Sequence, residues 1–428
     1  MLRKIYPVAL VIGMLIGGFS IRASAQNDDI VLTLIVAQFQ EEIFTDELLG
    51  EFQAANPGVK VIVKTAGNNG FFAPASVDSE GHLDEIETYV TSGDVLLMNS
   101  FGLSVEATRA GYFLDLSPLV NADPSLNSTD FYPAVWQSVQ WDNGIWAIPA
   151  GVDVYVISYD PAAFDEAGLA YPDPAWTMDD YINAIKTLTE YDDSGAVTRP
   201  GFISNFEAGF NYLLRGFLGT GVYDPAALPG MPDFSSPQLE SLLQTWYDEI
   251  DKEGVTDFTG SFDFNEIPIR VDRSFGLASF NAEDVRAGAL LPGGIAGLNV
   301  DSFAVSSGTA YPEQAYALAK WLTTRPEFTQ RLFGARPARQ SMVGMESSGG
   351  GGPQVFRNFT PEIEALIDEA LIHAIPVSDM RFMDYVIRAM DTMGENGGDA
   401  RSALQEMEQT AITNLQTAEQ RNQDTTVF

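Results

Sequence analysis

The chain has 428 residues, with 59 acidic side chains against 23 basic ones, a formal charge of −36 and no cysteine. Such an acidic surface repels nucleic acid and anionic membranes, and it disfavours highly anionic ligands unless a local basic pocket overrides the field. The missing cysteines exclude disulfides, thiolate metal sites and a lipid attached at a cysteine.

Arg3 and Lys4 precede an apolar stretch from Val8 to Phe19, and Ala23-Ser24-Ala25 supplies a small-x-small cleavage site before Gln26. This pattern predicts a cleaved signal peptide over 1–25 and export, without a lipid anchor, to a periplasm or the exterior. The apolar stretch carries three glycines and falls short of the roughly 20 residues a membrane span needs. Losing Arg3, Lys4 and Arg22 would take the formal charge from −36 to −39. The remaining chain is long enough for two domains of roughly 100 to 200 residues each.

Ile30 to Val36 is a β-branched run suited to a buried parallel strand, and Phe44, Leu48, Leu49 and Phe52 then line one face of a helix that Asn56-Pro57-Gly58 stops. Val59, Val61 and Val63 alternate as a second strand. Leu83, Ile86 and Val90 fit a helix ended by Gly93, and Val95 to Met98 reads as a third strand. The β-α-β-α-β order predicts a parallel sheet covered by helices. Trp141 to Trp146 reads as a hairpin with Asn143-Gly144 at the centre of a type I′ turn.

Val152 to Tyr159 is a long strand, Asp160-Pro161 caps the next helix, and Thr177 with Asp180 opens another whose core face is Tyr181, Ala184, Ile185 and Leu188. A second α/β unit starts here. Pro312 to Leu322 is predicted as a helix, Gly349 to Gly352 as a loop, and Asp399 as the cap of a terminal helix with Leu404, Met407, Ala411 and Leu415 on one side.

Catalytic motifs are scarce. The two histidines, His82 and His373, sit in structural settings, and no HExxH, GxSxG, Walker loop or GxGxxG after a strand occurs. Paired carboxylates are too common in so acidic a chain to carry meaning, so a secreted carbohydrate-active hydrolase stands as the enzymatic alternative. Asp192-Asp193-Ser194-Gly195 and the stretch from Asp391 to Asp399 lack the ligand spacing of an EF-hand. They read as a hairpin turn between Tyr191 and Val197, and as a glycine-rich helix end followed by an N-cap. Neither a metal nor a cofactor is expected.

Several segments fall in a shared order: Glu51 to Val61, Asp94 to Met98, Gly111 to Leu119, Gly144 to Pro149, Tyr159-Asp160-Pro161 with Phe164 to Leu169, Trp176 to Asp180, Val300 to Thr309 and Ala315 to Leu322. In these the chain resembles family 1 extracellular solute-binding proteins of ATP-binding-cassette importers. The resemblance implies an α/β, type II periplasmic-binding-protein fold: two lobes, each a mostly parallel sheet flanked by helices, with a ligand cleft between them. It places the first lobe at 26–152 plus 300–337 and the second at 153–299 plus 338–428. The crossings fall near Ala150 to Val154, Leu298 to Phe303 and Gly334 to Arg339.

The resemblance further implies a binding protein, not an enzyme, that closes on a small solute and passes it to the permease subunits of the importer. A mono- or oligosaccharide is the expected solute, with a polyol, a glycerophosphodiester or a polyamine as alternatives. Arg339 and Arg381 in the cleft would favour a phosphate, and acids around Asp153 without arginine would favour an amine. A monomer is expected, because a hinge is poorly served by an interface that bridges its lobes.

Sugars need aromatic faces and carboxylates or amides. Asp153 interrupts an apolar strand at the first crossing, where similar sugar binders place an acid; the alternative is an edge or capping aspartate. Tyr155 shares its strand face. The resemblance also brings Asn99, Ser100 and Phe101 to the cleft from the loop after the third strand, with Gln38 and Phe39 beside them. From the second lobe it draws Asn205, Phe206, Phe280, Asn281, Arg381 and Phe382.

Overall fold

The computed structural model describes residues 30–66, 79–100, 102–204, 206–252, 255, 262–263, 266–277, 286–325, 336–345, 359–394 and 397–425. The expected signal peptide, His82, the Gly349 to Gly352 loop and part of the Asp391 to Asp399 stretch lie outside the described residues and side chains.

Nine strands form one mixed sheet: β1 (Ile30–Ala37), β2 (Val59–Ala66), β3 (Val95–Asn99), β4 (Ala147–Tyr159), β5 (Phe202–Ser204), β6 (Ile269–Arg273), β7 (Ala287–Ala289), β8 (Gly297–Val305) and β9 (Arg336–Pro337). The spatial order is β2-β1-β3-β8-β4-β6-β5, and β7 and β9 also pair with β4. The first three strands are mutually parallel, as are β6 and β5. Between these parallel blocks run β8 and β4, antiparallel to each other and to the blocks beside them. The two α/β units are thus joined through one continuous sheet.

The helices cover this sheet: α1 (Asp46–Ala55), α2 (Ser79–Val90), α3 (Val105–Arg109), α4 (Met178–Leu188), α5 (Phe206–Leu218), α6 (Pro237–Trp246), α7 (Pro312–Leu322), α8 (Pro361–Ile372), α9 (Met383–Met393) and α10 (Ala400–Thr425). Local chemistry sets their ends. Thr45 caps α1 through the Leu48 amide, and Thr177 and Asp180 form the reciprocal capping box of α4. Leu48, Leu49 and Phe52 bury one face of α1, where Phe52 meets Trp321 of α7 at 5.4 Å.

β4 starts at Ala147, five residues before the predicted Val152, because Pro149, Ala150 and Gly151 are drawn into pairing with β8 across a register shift at Asp301 and Ser302. At Gly151 and Val152, β8 and β9 both pair with β4.

The 141–146 hairpin forms with its turn one residue earlier than expected. Asp142 and Asn143 hold the positive φ values, 51° and 65°, and Trp141 pairs with Gly144. Gly144 instead makes room for a ring: a Cβ there would lie 2.4 Å from the Trp146 side chain. The Tyr191 to Val197 hairpin forms as read from the sequence, with Asp192 accepting from Ser194 and Ala196. The terminal helix buries Leu404, Met407, Ala411 and Leu415, and near its end Arg421 pairs with Asp84 of α2.

Candidate functional site

Strand geometry concentrates polar side chains on one face of the sheet centre. Along β8, side chains alternate between faces up to the register shift at Asp301 and Ser302, so Asn299 and Asp301 share one of them. β8 is buried throughout. Phe303 packs edge-on against Phe44 in the apolar core of the first unit, 6.4 Å between centroids. Two and four residues earlier the strand is polar. Asn99, at the carboxyl end of β3, donates to Asn299 at 2.9 Å and to Asp301 at 3.0 Å. Opposite Asn299 in the register stands Asp153 of β4, which accepts from Arg273 at 3.1 Å and from the Ser274 hydroxyl.

Electrostatics in this cluster follow from burial. Removal from water pushes the Asp301 carboxyl up to about 6; Arg273 and Asn99 pull it down, and Asp153 adds to the rise. For Arg273, burial works against the charge, but Asp153, Tyr155 and Asp301 together outweigh it and the guanidinium is held above its ordinary range. Two carboxylates therefore share one guanidinium on the floor of the sheet centre.

Above the floor, Tyr212 of α5 stacks on Tyr155 at 5.5 Å and donates to the Leu298 carbonyl. Gly297 permits this, since a Cβ there would lie 2.3 Å from the Tyr212 ring. Tyr212 is also a wall of an open cleft of about 740 Å³, counting space continuous with solvent. Ser100, Glu106 and Trp141 come to that cleft from the first unit, and Asn211, Arg381 and Asp384 from later in the chain. Asn211 donates to Asp384 at 2.6 Å, and the Tyr385 hydroxyl donates to Glu106 at 3.0 Å. At the rim, Asp142 accepts from Arg109 and from the Gly230 amide, and lies 3.7 Å from Arg381, whose guanidinium covers the Tyr223 ring at 4.2 Å.

The structure brings six of the expected residues together. Asp153 and Asn99 lie in the floor cluster, with Tyr155 buried beneath Tyr212. Ser100 accepts from the Val300 amide and lines the cleft, as do Arg381 and Phe382. Phe382 holds φ 68° while buried, a strained setting for a phenylalanine at the start of α9. Gln38 and Phe39 are exposed in the 3-10 turn after β1 and are not part of the cleft wall. Phe101, Asn205, Phe280, Asn281 and the Phe206 side chain lie outside the described residues and side chains. Arg339 is engaged elsewhere, over the Phe131 ring and 3.4 Å from Asp130. Sequence reasoning missed Glu106, Asn211, Tyr212 and Asp384. Among the described residues, no cluster of three or more His, Asp or Glu is arranged to hold a metal.

A parallel-stranded unit on either side of two crossing strands, with a polar cleft over the crossing, defines a two-lobe α/β solute-binding fold. The family model described as bacterial extracellular solute-binding protein matches residues 34–327, and the chain belongs to that family. Among solved structures, it is similar to an ABC substrate-binding protein, Lmo0181, from Listeria monocytogenes in complex with cycloalternan: 16% identity, 91% of this chain and 99% of that one covered, TM-score 0.63. It is also similar to the sugar-binding protein MalE from Xanthomonas citri, at 15% identity, 90% and 98% coverage and TM-score 0.61. A third is an ABC transporter solute-binding protein from Agrobacterium vitis with bound D-mannitol, at 17% identity, 91% and 99% coverage and TM-score 0.55. No curated protein matches the sequence.

Proposed function

We propose that the chain is the extracytoplasmic capture subunit of an ABC importer and that its solute is a mono- or oligosaccharide, bound reversibly and without chemical change. The observation that carries this reading is the cleft's chemistry. Carboxylates and amides from both ends of the chain face the same space as the rings of Trp141, Tyr212 and Tyr385, the combination that grips hydroxyls and C–H faces together. The sugar and polyol complexes among its structural relatives point the same way.

The lobes are 26–152 plus 300–337 and 153–299 plus 338–428. The meeting of β4, β8 and β9 at Gly151 and Val152 supports a hinge there, and closure about it would desolvate the solute from both sides. The protein acts as a monomer outside the cytoplasm, with permease subunits as partners and no nucleic acid.

The test takes the exported protein, with Gln26 expected at its N terminus and a monomer on size exclusion, into a thermal-shift screen of sugars and polyols. At 100 times its dissociation constant a ligand adds about 2.7 kcal/mol to stability. A sugar response lost in Asp153→Ala, with the sugar recovered intact, supports the reading. Turnover of an oligosaccharide, or silence from every sugar and polyol, overturns it.

A further inference from the structure

We propose that the solute is an amino sugar, and that Glu106 and Asn211 hold its protonated amine. This rests on the saccharide reading above. Two independent observations point to a ligand donor, and the second to a cationic one. Asn211 is only 4% exposed and lines the cleft; its amide nitrogen is taken by Asp384, while its carbonyl Oδ1 is buried with no donor among the described residues. An acceptor buried in this way is costly unless a ligand supplies the proton.

Glu106 is the second. It reaches the same cleft from α3, and its one polar contact among the described residues is the neutral hydroxyl of Tyr385. The Tyr385 hydroxyl records how close the acids lie: burial first, then Glu106, and more weakly Asp384, drive its pKa upward.

The arginine that lines the same cleft is paired at the rim. Arg381 faces Asp142, which Arg109 also engages. Among the described residues its own Nε is buried without an acceptor, matching a ring or hydroxyl oxygen of the same ligand. A plain hydroxyl would satisfy the Asn211 carbonyl alone. An ammonium offers three donors and a charge, and its bonds to a carboxylate are roughly twice as strong as neutral ones. The formal charge of −36 draws cationic ligands from solution.

Titration calorimetry of the whole exported chain tests this with matched pairs that differ only at C2: glucosamine and glucose, galactosamine and galactose, mannosamine and mannose. In at least one pair the amine is expected to bind about tenfold tighter or better. Glu106→Gln should collapse that ratio towards one, and Asn211→Ala, which removes the unmet acceptor, should lower it. The second variant decides the matter if the first fails to fold. Equal binding within every pair, tighter binding of the hydroxyl sugar, or a ratio indifferent to these substitutions overturns the amino-sugar assignment and leaves the saccharide reading standing. Binding of a polyol with no response to any sugar removes both.

Discussion

The two ends of β8 belong to one strand and are both buried, yet they are built on opposite chemistry. Phe303 and Val305 lie in an apolar core, whereas Asn299 and Asp301 join Asn99, Asp153 and Arg273 in a polar cluster two residues away. Water is excluded from both, so burial alone does not separate them. The first end gains from every methylene withdrawn from solvent. The second end bears desolvation that a purely structural strand would avoid by using leucine or valine. The difference marks where the sheet stops being scaffold and starts being a site.

The largest test of that contrast is Phe303→Ala. The ring is 0% exposed and packs on Phe44, so chemical denaturation should show a loss of about 3–5 kcal/mol, with the sugar response retained in the protein that stays folded. Next comes Asp301→Asn. The carboxyl titrates near 6 in the fold against an ordinary 3.8. Well below pH 3.8 both folded and unfolded chains are protonated and the aspartate costs nothing extra. Between about pH 4 and 6 the unfolded chain ionises while the folded carboxyl stays protonated, so the fold loses up to about 3 kcal/mol, a loss complete once pH exceeds 6. The variant should therefore come closest to the parent below pH 4, pull ahead between pH 4 and 6 and hold that lead at pH 8, and a parallel pair of stability curves would refute the burial argument. The smallest is Thr177→Ala, far from the cleft. Removing the capping box of α4 should cost about 1 kcal/mol by denaturant titration and leave ligand affinity untouched.

The scaffold was legible because its signals are local. The valine and leucine runs of β1 and β3, the Thr177 and Asp180 cap and the Pro312 start of α7 each show within a dozen residues, and each forms as read. Where a signal depends on a distant neighbour, the reading shifts. β4 runs back through Pro149 only because β8 lies beside it, and the hairpin turn moves to Asp142 because Gly144 faces Trp146. The cleft wall was the least legible part. Glu106 and Tyr385 are 279 positions apart and Asn211 and Asp384 are 173, so no spacing rule links them. One local clue existed: Asn211 is a polar residue set among Phe210, Tyr212, Leu213 and Leu214, an odd choice for the buried side of a helix.

The placement of β8 also bears on how the chain reaches this state. Asn99 waits for a partner 202 residues downstream, so β3 stays an open edge until most of the chain is available. Contacts of such long range are formed late and slowly. Until then one edge of β3 lacks its partner while the other pairs with β1, the kind of open apolar edge that favours aggregation, and the first unit depends on residues beyond 297 to finish its own sheet.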